Sequence, residues 1–484
     1  MASSRKPKRN SVDGVEAAVG AALKPLLFPQ ARLVLGLSGG IDSVALLEAL
    51  RRLAGPLAFR LACVHVDHGI SPNARRWAAF CTRKCKRLGI ALEVHRVDVA
   101  PYRTEGLEAA ARHARYAVYA RQEADFIVLA QHLDDQAETL LLQLLRGAGV
   151  KGGAAMPLLR QQVESRPSAE SRLLSKSRPL VELRPLAMGK TGKAAHAPAI
   201  LRPMLALSRR EIEAYAKAGR LKWVEDESNT DIGFDRNFLR HEVLPAIARG
   251  FPAYRSTLAR SARHLAEASL VLDAVAETDA KLAAAGHRLA LSELKRMGTP
   301  RAKNLVRWLL LQQGVGAPET ERLEEGLRQL FQARNDAAVH VVLGAFELRR
   351  YDGFAYLLRS LPAAPANFRG DWDGQRAWVL PELGGTLSFA RRTDTGLDCA
   401  KVGARGLSVR LRQGGEKLRL QAGGSTRSLK NLLQEARMPP WERERLPLIY
   451  CGDALVAVPG LGVASGWQAG AGKPGWAISW QRQP

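Results

Sequence analysis

The 484-residue sequence has few cysteines, a shortage of acidic residues and no long uninterrupted apolar run. Five cysteines cannot supply a dense disulfide framework, which excludes a small disulfide-stapled protein and favours the cytoplasm. Because no stretch of about 18 apolar residues occurs, no membrane span is expected. The basic N-terminus has no apolar segment behind it, so residues 1–14 are interpreted as a flexible tail and not as a secretory signal.

The shortage of acidic residues leaves a large positive charge. Lysine and arginine number 72 against 47 aspartates and glutamates, a net charge of +25. Such an excess usually indicates a polyanionic partner, most often nucleic acid. A general preference for arginine in a GC-rich genome is the alternative. The hydrophobic fraction of 46% is sufficient for several cores, and the length indicates two or three domains.

The first third of the chain alternates between strand-like and helical patterns. The strand-like segments are 33–37, 61–66, 92–97 and 126–130. Helical patterns fill the intervals, so the sequence predicts an α/β fold with a parallel sheet covered by helices on both faces. Ligands bind such sheets beyond the carboxyl ends of the strands.

Shifts in composition divide the chain further. We predict a catalytic domain over 15–248 that contains a mobile insertion at 160–198, where periodicity is lost. A mostly helical domain follows over 249–361, with a hairpin turning at Asp352-Gly353. A linker rich in Pro and Gly, 362–385, leads to a small α+β C-terminal domain over 386–484.

The segment SGGIDS joins the first predicted strand to a helix. Its glycines allow a ligand to approach the backbone closely, and the helix that follows offers free N–H groups, which together suit a phosphate. A Walker loop would carry Lys where Asp42 stands, and a carboxylate there could hold Mg²⁺ against phosphates. A plain glycine turn with Asp42 as a helix cap is the alternative. The predicted phosphate-binding residues are Ser38, Gly39, Gly40, Ile41, Asp42 and Ser43.

A second cluster of polar residues follows the predicted strand at 126–130. His132, Asp134, Asp135 and Glu138 lie where a helix begins, at the same edge of the sheet as the glycine loop. Capping-box spacing accounts for Asp135 and Glu138, but capping needs only one or two acids. Three acids and a histidine therefore suggest a site for Mg²⁺ or for the ammonium group of an amine substrate.

These motifs resemble known families. SGGIDS is similar to the loop of the PP-loop ATP pyrophosphatases, which cleave ATP to AMP and pyrophosphate while adenylating a substrate. HLDDQAET resembles the second motif of the tRNA(Ile)-lysidine synthetase family. Further similar segments are VHVDHGI, AARHARY, EDESNTDIGFDRNFLRHEVLP, RAKNLVRWLL, VRLRQGGEKLRL and LKNLLQEARMPPWERERLPLIY. The resemblance covers most of the chain, and Ile70-Ser71 departs from it where Leu-Arg is common.

The resemblance implies a two-step reaction with ATP, Mg²⁺, free L-lysine and an isoleucine tRNA that carries a CAU anticodon. The C2 oxygen of the first anticodon cytidine attacks the α-phosphate of ATP, and the ε-amine of lysine then displaces AMP to give lysidine. Asp135 and Glu138 are candidates to bind and deprotonate lysine, while His132 and Arg112 would steady charge on the base or phosphate. The resemblance also suggests a homodimer.

Basic residues on a predicted helix and in the C-terminal region are candidates for contact with tRNA phosphates. They are, with one neighbouring asparagine, Arg236, Asn237, Arg240, Arg410, Arg412 and Lys430. Two other functions remain open: a PP-loop tRNA thiolase, which should need a reactive cysteine pair or an iron–sulfur site, and a non-catalytic tRNA-binding protein on a relic ATP fold. Cys81 and Cys85 do not resemble such a pair.

Overall fold

A computed structural model describes residues 11–100, 106–161, 197–227, 231–285, 288–316, 318–334, 337–360, 362–403 and 406–482. The chain divides into two compact units, Met1–Ala274 and Val275–Pro484. Most of the predicted tail and almost all of the predicted insertion lie outside the described residues. Within the described residues, no helix combines the length and the apolar content needed to cross a membrane.

The first unit is built around a six-stranded sheet. Its strands are β1 (Arg32–Gly36), β2 (Arg60–Asp67), β3 (Ala91–Arg96), β4 (Phe126–Val128), β5 (Leu159–Arg160) and β6 (Ala199–Leu201). The order is β3-β2-β1-β4-β6-β5, and every pairing is parallel except that between β5 and β6. The predicted parallel sheet is therefore confirmed. The carboxyl ends of β1, β4 and β6 are neighbours at one edge.

Helices lie before and between these strands in the chain and follow the last of them. They are α1 (Ser11–Leu23), α2 (Ile41–Leu53), α3 (Ala74–Leu88), α4 (Leu107–Tyr119), α5 (Leu133–Leu145), α6 (Val150–Gly153), α7 (Arg209–Ala218), α8 (Asp235–Phe238), α9 (Leu244–Gly250) and α10 (Tyr254–Ala283). A π-helical turn, Leu239–Val243, joins α8 to α9. The main core packs α1, α2 and α7 against one face of the sheet, with buried residues such as Leu35, Leu46 and Ile212.

The second unit begins with helices packed on an antiparallel sheet. The elements are β7 (Ala284–Ala285), β8 (Arg288–Ala290), α11 (Leu291–Gln312), α12 (Thr320–Gln332), β9 (His340–Leu343), β10 (Phe346–Tyr351) and β11 (Phe354–Arg359). The predicted hairpin joins β10 to β11, and Asp352 and Gly353 both have positive φ at its turn. A kink at Gly298 divides α11.

The rest of the second unit forms two further antiparallel sheets and a two-stranded ribbon. The elements are β12 (Arg369–Trp372), β13 (Ala377–Leu380), β14 (Gly385–Thr393), β15 (Leu397–Asp398), α13 (Cys399–Val402), β16 (Leu407–Arg410), β17 (Lys417–Leu418), β18 (Arg427–Ser428), α14 (Leu429–Glu435), α15 (Pro440–Arg443), β19 (Leu448–Cys451), β20 (Ala454–Val458), β21 (Gly462–Val463) and β22 (Pro474–Arg482).

The segment 362–385, expected to be a linker, differs from that expectation. It contains β12 and β13, which pair with β16 and β14. Gly374, between β12 and β13, and Gly384, directly before β14, take positive φ, so they act as turn residues within folded structure. Two four-residue strands between turns carry too little periodicity to be distinguished from a linker by sequence.

Candidate active site

The glycine loop connects β1 to α2 at the carboxyl edge of the sheet. The Ser43 hydroxyl accepts a hydrogen bond from the Gly39 N–H at 3.1 Å and donates one to the Gly40 carbonyl at 3.0 Å. The Ser38 hydroxyl donates to Ser43 Oγ at 3.1 Å. Gly40 has no side chain to cap α2, so the first N–H groups of the helix, from Ile41 onward, receive no side-chain cap and suit an anion. The loop has the form of an anion site.

The conformation of Gly39 is specific to glycine. Its φ is 92°, and a Cβ built there would lie 2.9 Å from Val224 Cγ2 and 3.2 Å from Cys81 Sγ. The Gly39 carbonyl also accepts a hydrogen bond from the Val224 N–H at 3.0 Å. Below the loop, a ring nitrogen of buried His65 lies 2.8 Å from the Leu37 carbonyl. The loop is therefore fixed from two sides.

The acid cluster surrounds His132, which lies immediately before α5 and is 3% exposed. His132 Nε2 lies 3.7 Å from Asp42 Oδ1 and 3.5 Å from Asp135 Oδ2, and its Nδ1 lies 3.8 Å from Asp134 Oδ2. The backbone N–H of His132 donates to Asp135 Oδ2 at 3.0 Å. The structure thus brings the glycine loop, through Asp42, into contact distance with the residues at the end of β4.

Two arginines that the sequence analysis did not identify pair with these acids. Arg209, the first residue of α7, donates to Asp42, and Arg255 at the start of α10 donates to Asp134. Ser208 caps α7 with Glu211 in a capping box, which fixes Arg209 at the helix start. The Ser-x-x-Glu signal is visible in the sequence, but it does not reveal which acid the arginine meets. Arg255 has no such signal.

The remaining acids are paired with Arg236 and Arg240. Glu138, 2% exposed at its side chain, accepts from Arg236 Nε at 2.9 Å and from Arg240 Nε at 2.7 Å. Both guanidiniums also contact Asp135 Oδ1, at 3.2 Å and 3.5 Å. Arg240 lies in the π-helical turn, a distortion that is frequent at functional sites. The two arginines therefore lie inside the candidate active site.

Asp42 is the residue that best fits a metal. Burial raises the pKa of Asp42 above its usual value, and the positive charges of His132 and Arg209 offset this only in part. Its Oδ1 is a buried acceptor without a hydrogen-bond partner, an oxygen of the kind that Mg²⁺ prefers. Among the described residues no three His, Cys, Asp or Glu side chains are arranged to hold a metal by themselves. Asp42 would therefore share such an ion with phosphate oxygens.

Two other predicted site residues, Arg112 and Asn237, do not contact the acidic residues around His132 in any hydrogen bond or ion pair described above. Arg112 is exposed on α4 and lies over the ring of Tyr116, 5.1 Å from its centroid. Asn237 is buried, and its amide donates to the Asp231 carbonyl at 2.8 Å, which supports the loop before α8. Ser228 and Asn229 of the resembling segment lie outside the described residues.

The predicted C-terminal contacts differ in accessibility. Arg410 stacks on Tyr450, 4.6 Å from the ring centroid, and donates to the Gly452 carbonyl at 2.7 Å. Arg412 lies 3.7 Å from Glu416 and lines a cavity of about 420 Å³. Lys430 is exposed in the first turn of α14. Lys430 is the most accessible of the three to a polyanion.

Comparisons with known proteins show the family of this chain. A family model described as a PP-loop domain matches residues 13–247, a TilS substrate binding domain matches 289–356, and a TilS substrate C-terminal domain matches 407–480. The tRNA(Ile)-lysidine synthase of Nitrosomonas europaea is 40% identical over 460 residues, covering 95% of this chain and 93% of the relative. The chain belongs to the tRNA(Ile)-lysidine synthase family.

A second relative and one solved structure extend the comparison. The tRNA(Ile)-lysidine synthase of Coxiella burnetii is 36% identical over 450 residues, covering 92% of each chain. The structure of a U34-tRNA thiolase from Methanococcus maripaludis is 16% identical, with a TM-score of 0.41, and covers 54% of this chain and 81% of its own. The family assignment rests on the curated relatives and the three domain models, and the PP-loop domain implies the use of ATP.

Proposed function

We propose that this chain ligates free L-lysine to C2 of the first anticodon cytidine of an isoleucine tRNA with a CAU anticodon, and releases AMP and pyrophosphate. The observation that carries the proposal is the placement of Asp135 and Glu138 at the same sheet edge as an intact glycine loop, beside His132 and Asp42. The loop alone would suit many adenylating enzymes. Carboxylates beside it suit an amine substrate.

The first step would take place over the glycine loop. The N–H groups at the start of α2 and the hydroxyls of Ser38 and Ser43 would hold the pyrophosphate portion of ATP. The cytidine C2 oxygen forms a bond to the α-phosphorus, and the bond to pyrophosphate breaks. The positive charge of Arg209, with the ring of His132 beside it at Asp42, would stabilise the negative charge that develops on the phosphates.

Mg²⁺ is part of the proposal, and Asp42 is the residue that would hold it. When bound beside ATP, the ion would neutralise phosphate oxygens and favour the departure of pyrophosphate. The raised pKa of Asp42 and its unpartnered Oδ1 support this role, because a cation would satisfy the carboxylate that the protein leaves incompletely paired.

The second step would use the acids of α5. Lysine binds as an ammonium ion, and one proton must leave before the ε-nitrogen can attack C2 and expel AMP. Asp135 and Glu138 can hold the ammonium and accept that proton. Since Arg236 and Arg240 pair with both acids in the free chain, lysine must share or replace these contacts.

The tRNA would also contact basic residues of the other predicted domains. We propose that 15–248 carries catalysis and that 249–361 and 386–484 bind tRNA, with Lys430 as an exposed contact of the C-terminal region. The proposal places the enzyme in the cytoplasm. The homodimer suggested by the family is to be tested by light scattering of the purified chain.

The decisive experiment is incorporation of radiolabelled lysine into unmodified isoleucine tRNA with a CAU anticodon, in the presence of ATP and Mg²⁺. We expect the wild type to transfer label and Asp42→Ala to transfer none. Asp273→Asn, which removes a surface carboxylate paired with Lys151, is the matched control and should retain activity. Transfer of sulfur to the same tRNA, without lysine transfer, would identify a thiolase. Binding of tRNA without either reaction would identify a non-catalytic protein.

A further inference from the structure

A second charged cluster lies on the other side of β4 from the glycine loop, and its described charged side chains are arginines. Arg202 follows β6 directly and is only 1% exposed. Its Nε donates to Gln131 Oε1 at 2.6 Å and its Nη1 to the Pro157 carbonyl at 2.9 Å. Both acceptors are neutral, so among the described residues the buried guanidinium has hydrogen bonds but no carboxylate partner.

Further arginines increase this positive charge. Arg112 lies over the ring of Tyr116, with Nη2 3.5 Å from the phenolic oxygen. Arg202 interacts with the same phenol, and the charge of Arg160 in β5 acts on both Tyr116 and Arg202. Within the described part of the chain, no carboxylate pairs with any of the three guanidiniums. Three cations thus converge on one phenol.

The electrostatics of Tyr116 and Arg202 agree with the geometry. Burial tends to raise the pKa of Tyr116, but the charges of Arg112, Arg202 and Arg160 outweigh it and the pKa is lowered. Burial, with the repulsion of Arg160 and Arg112, lowers the pKa of Arg202 in spite of its interaction with the phenol. A bound anion would offset the burial of Arg202 and the repulsion between the arginines.

The position of the cluster relates it to the reacting centre. Gln131, which accepts the hydrogen bond from Arg202 Nε, directly precedes His132 in the chain. The ring of His132 lies 3.7 Å from Asp42. The order β1-β4-β6 places the end of β6 two strands, roughly 10 Å, from the end of β1 and its glycine loop. An anion here is therefore separate from the pyrophosphate portion of ATP, which the loop would hold.

We infer that Arg112, Arg160 and Arg202, with Tyr116, form a binding site for a phosphodiester of the tRNA next to the cytidine that is modified. The inference rests on the proposed tRNA substrate and adds to it a position for the RNA backbone. Arg202 forms the floor of the site, while Arg112 and Arg160 are exposed and reach the phosphate from solvent. Binding of this phosphate would limit how far the neighbouring cytidine base can extend towards His132 and Asp42.

The test uses the full chain and Arg160→Gln, because an exposed arginine at this position can be replaced without opening the core. We expect the Kd for an anticodon stem–loop to rise about tenfold, and the slope of log Kd against log salt to fall by about one. The KM for ATP should stay within twofold. Arg87→Gln, an exposed arginine on α3, is the matched control and should change none of these quantities.

Chemical substitution of the RNA identifies the contact directly. A neutral methylphosphonate beside the cytidine should weaken binding to the wild type about tenfold and binding to Arg160→Gln by a smaller factor, because that variant has already lost one of the three cations that surround the phosphate. Losses that multiply would show that the arginine and the phosphate act independently, and would overturn the inference. A rise in the KM for ATP with unchanged RNA binding would assign the anion to ATP instead.

The RNA-binding measurements are made without lysine, so they test this phosphate site separately from the proposed reaction. If the wild type fails to incorporate lysine but Arg160→Gln loses RNA affinity as expected, the proposed function is wrong and the phosphate site stands. If lysine is incorporated and Arg160→Gln binds RNA like the wild type at every salt concentration, the site is wrong and the function stands.

Discussion

Arg236 and Glu138, 98 positions apart in the sequence, form a hydrogen-bonded ion pair in which Nε lies 2.9 Å from Oε2. Arg240 takes the other carboxylate oxygen at 2.7 Å. The side chain that we propose to receive the lysine ammonium is therefore occupied by the chain's own cations before lysine arrives. These contacts of Glu138 should therefore affect both the folding stability and the binding of lysine.

The first prediction concerns stability. Glu138→Gln leaves two partly buried guanidiniums with only their longer contacts to Asp135, and removal of one partner from a buried ion pair is costly. We expect the free energy of unfolding to fall by about 2–4 kcal/mol, measured by urea denaturation. Asp273→Asn, which breaks a surface pair with Lys151, should cost about 0.5 kcal/mol or less. Equal losses in the two variants would show that the pair at Glu138 contributes no more than a surface pair.

The second prediction concerns competition for the acids. Arg240→Gln removes one of the two cations on Glu138, so the site becomes more negative and should attract the lysine ammonium more strongly. With solvent screening at a side chain that is 34% exposed, we expect the KM for lysine to fall about fivefold, or about 1 kcal/mol. Lysine-dependent AMP release at saturating tRNA and ATP measures it.

The control for this variant is Arg146→Gln, which removes an exposed arginine paired with Asp235 and should leave the KM for lysine unchanged. A rise in the KM for lysine in Arg240→Gln would mean that the arginine helps to form the lysine site and does not compete for it. A fall in kcat alone would instead indicate that Arg240 acts after lysine has bound.

Much of the catalytic unit follows from local sequence. Alternating strand and helix patterns predict a parallel sheet, and the rule that ligands bind at its carboxyl edge is enough to bring Asp42 and His132 together. The positions of Arg209 and Arg202 do not follow in this way. Each arginine donates to a residue more than 70 positions away in the sequence. How the helices and strands pack determines these contacts, and no local sequence pattern indicates them. The acids of the site were predictable, but their pairing with particular arginines was not.

The third prediction separates two neighbouring glycines of the loop. Gly39→Ala would place a Cβ against Val224 and Cys81 at a φ of 92°, whereas Gly40→Ala meets only Ser38 Oγ, at 3.6 Å, with φ at −69°. We expect Gly39→Ala to be less stable by about 1–3 kcal/mol. Gly40→Ala should unfold like the wild type. Thermal unfolding of the two variants measures the difference, and equal midpoints would contradict the strain assigned to Gly39.

The fourth prediction is a pH dependence that responds to Mg²⁺. Burial raises the pKa of Asp42, so its ionised form is lost on acidification at a higher pH than for an exposed aspartate. If that form holds Mg²⁺, the acidic limb of pyrophosphate release reports this loss. Because a bound cation favours the ionised carboxylate, higher Mg²⁺ should move the limb to lower pH.

The acidic limb has to be assigned to Asp42 and not to the charged groups that face it. They are His132, Arg209, Asp135 and Arg240. Only a group that contacts the ion should give a limb that moves with Mg²⁺ concentration. Asp273→Asn should keep this shift, and Asp42→Asn, which cannot ionise, should lose it together with most of the activity. A limb that stays fixed in the wild type across Mg²⁺ concentrations would remove Asp42 as the metal-holding residue.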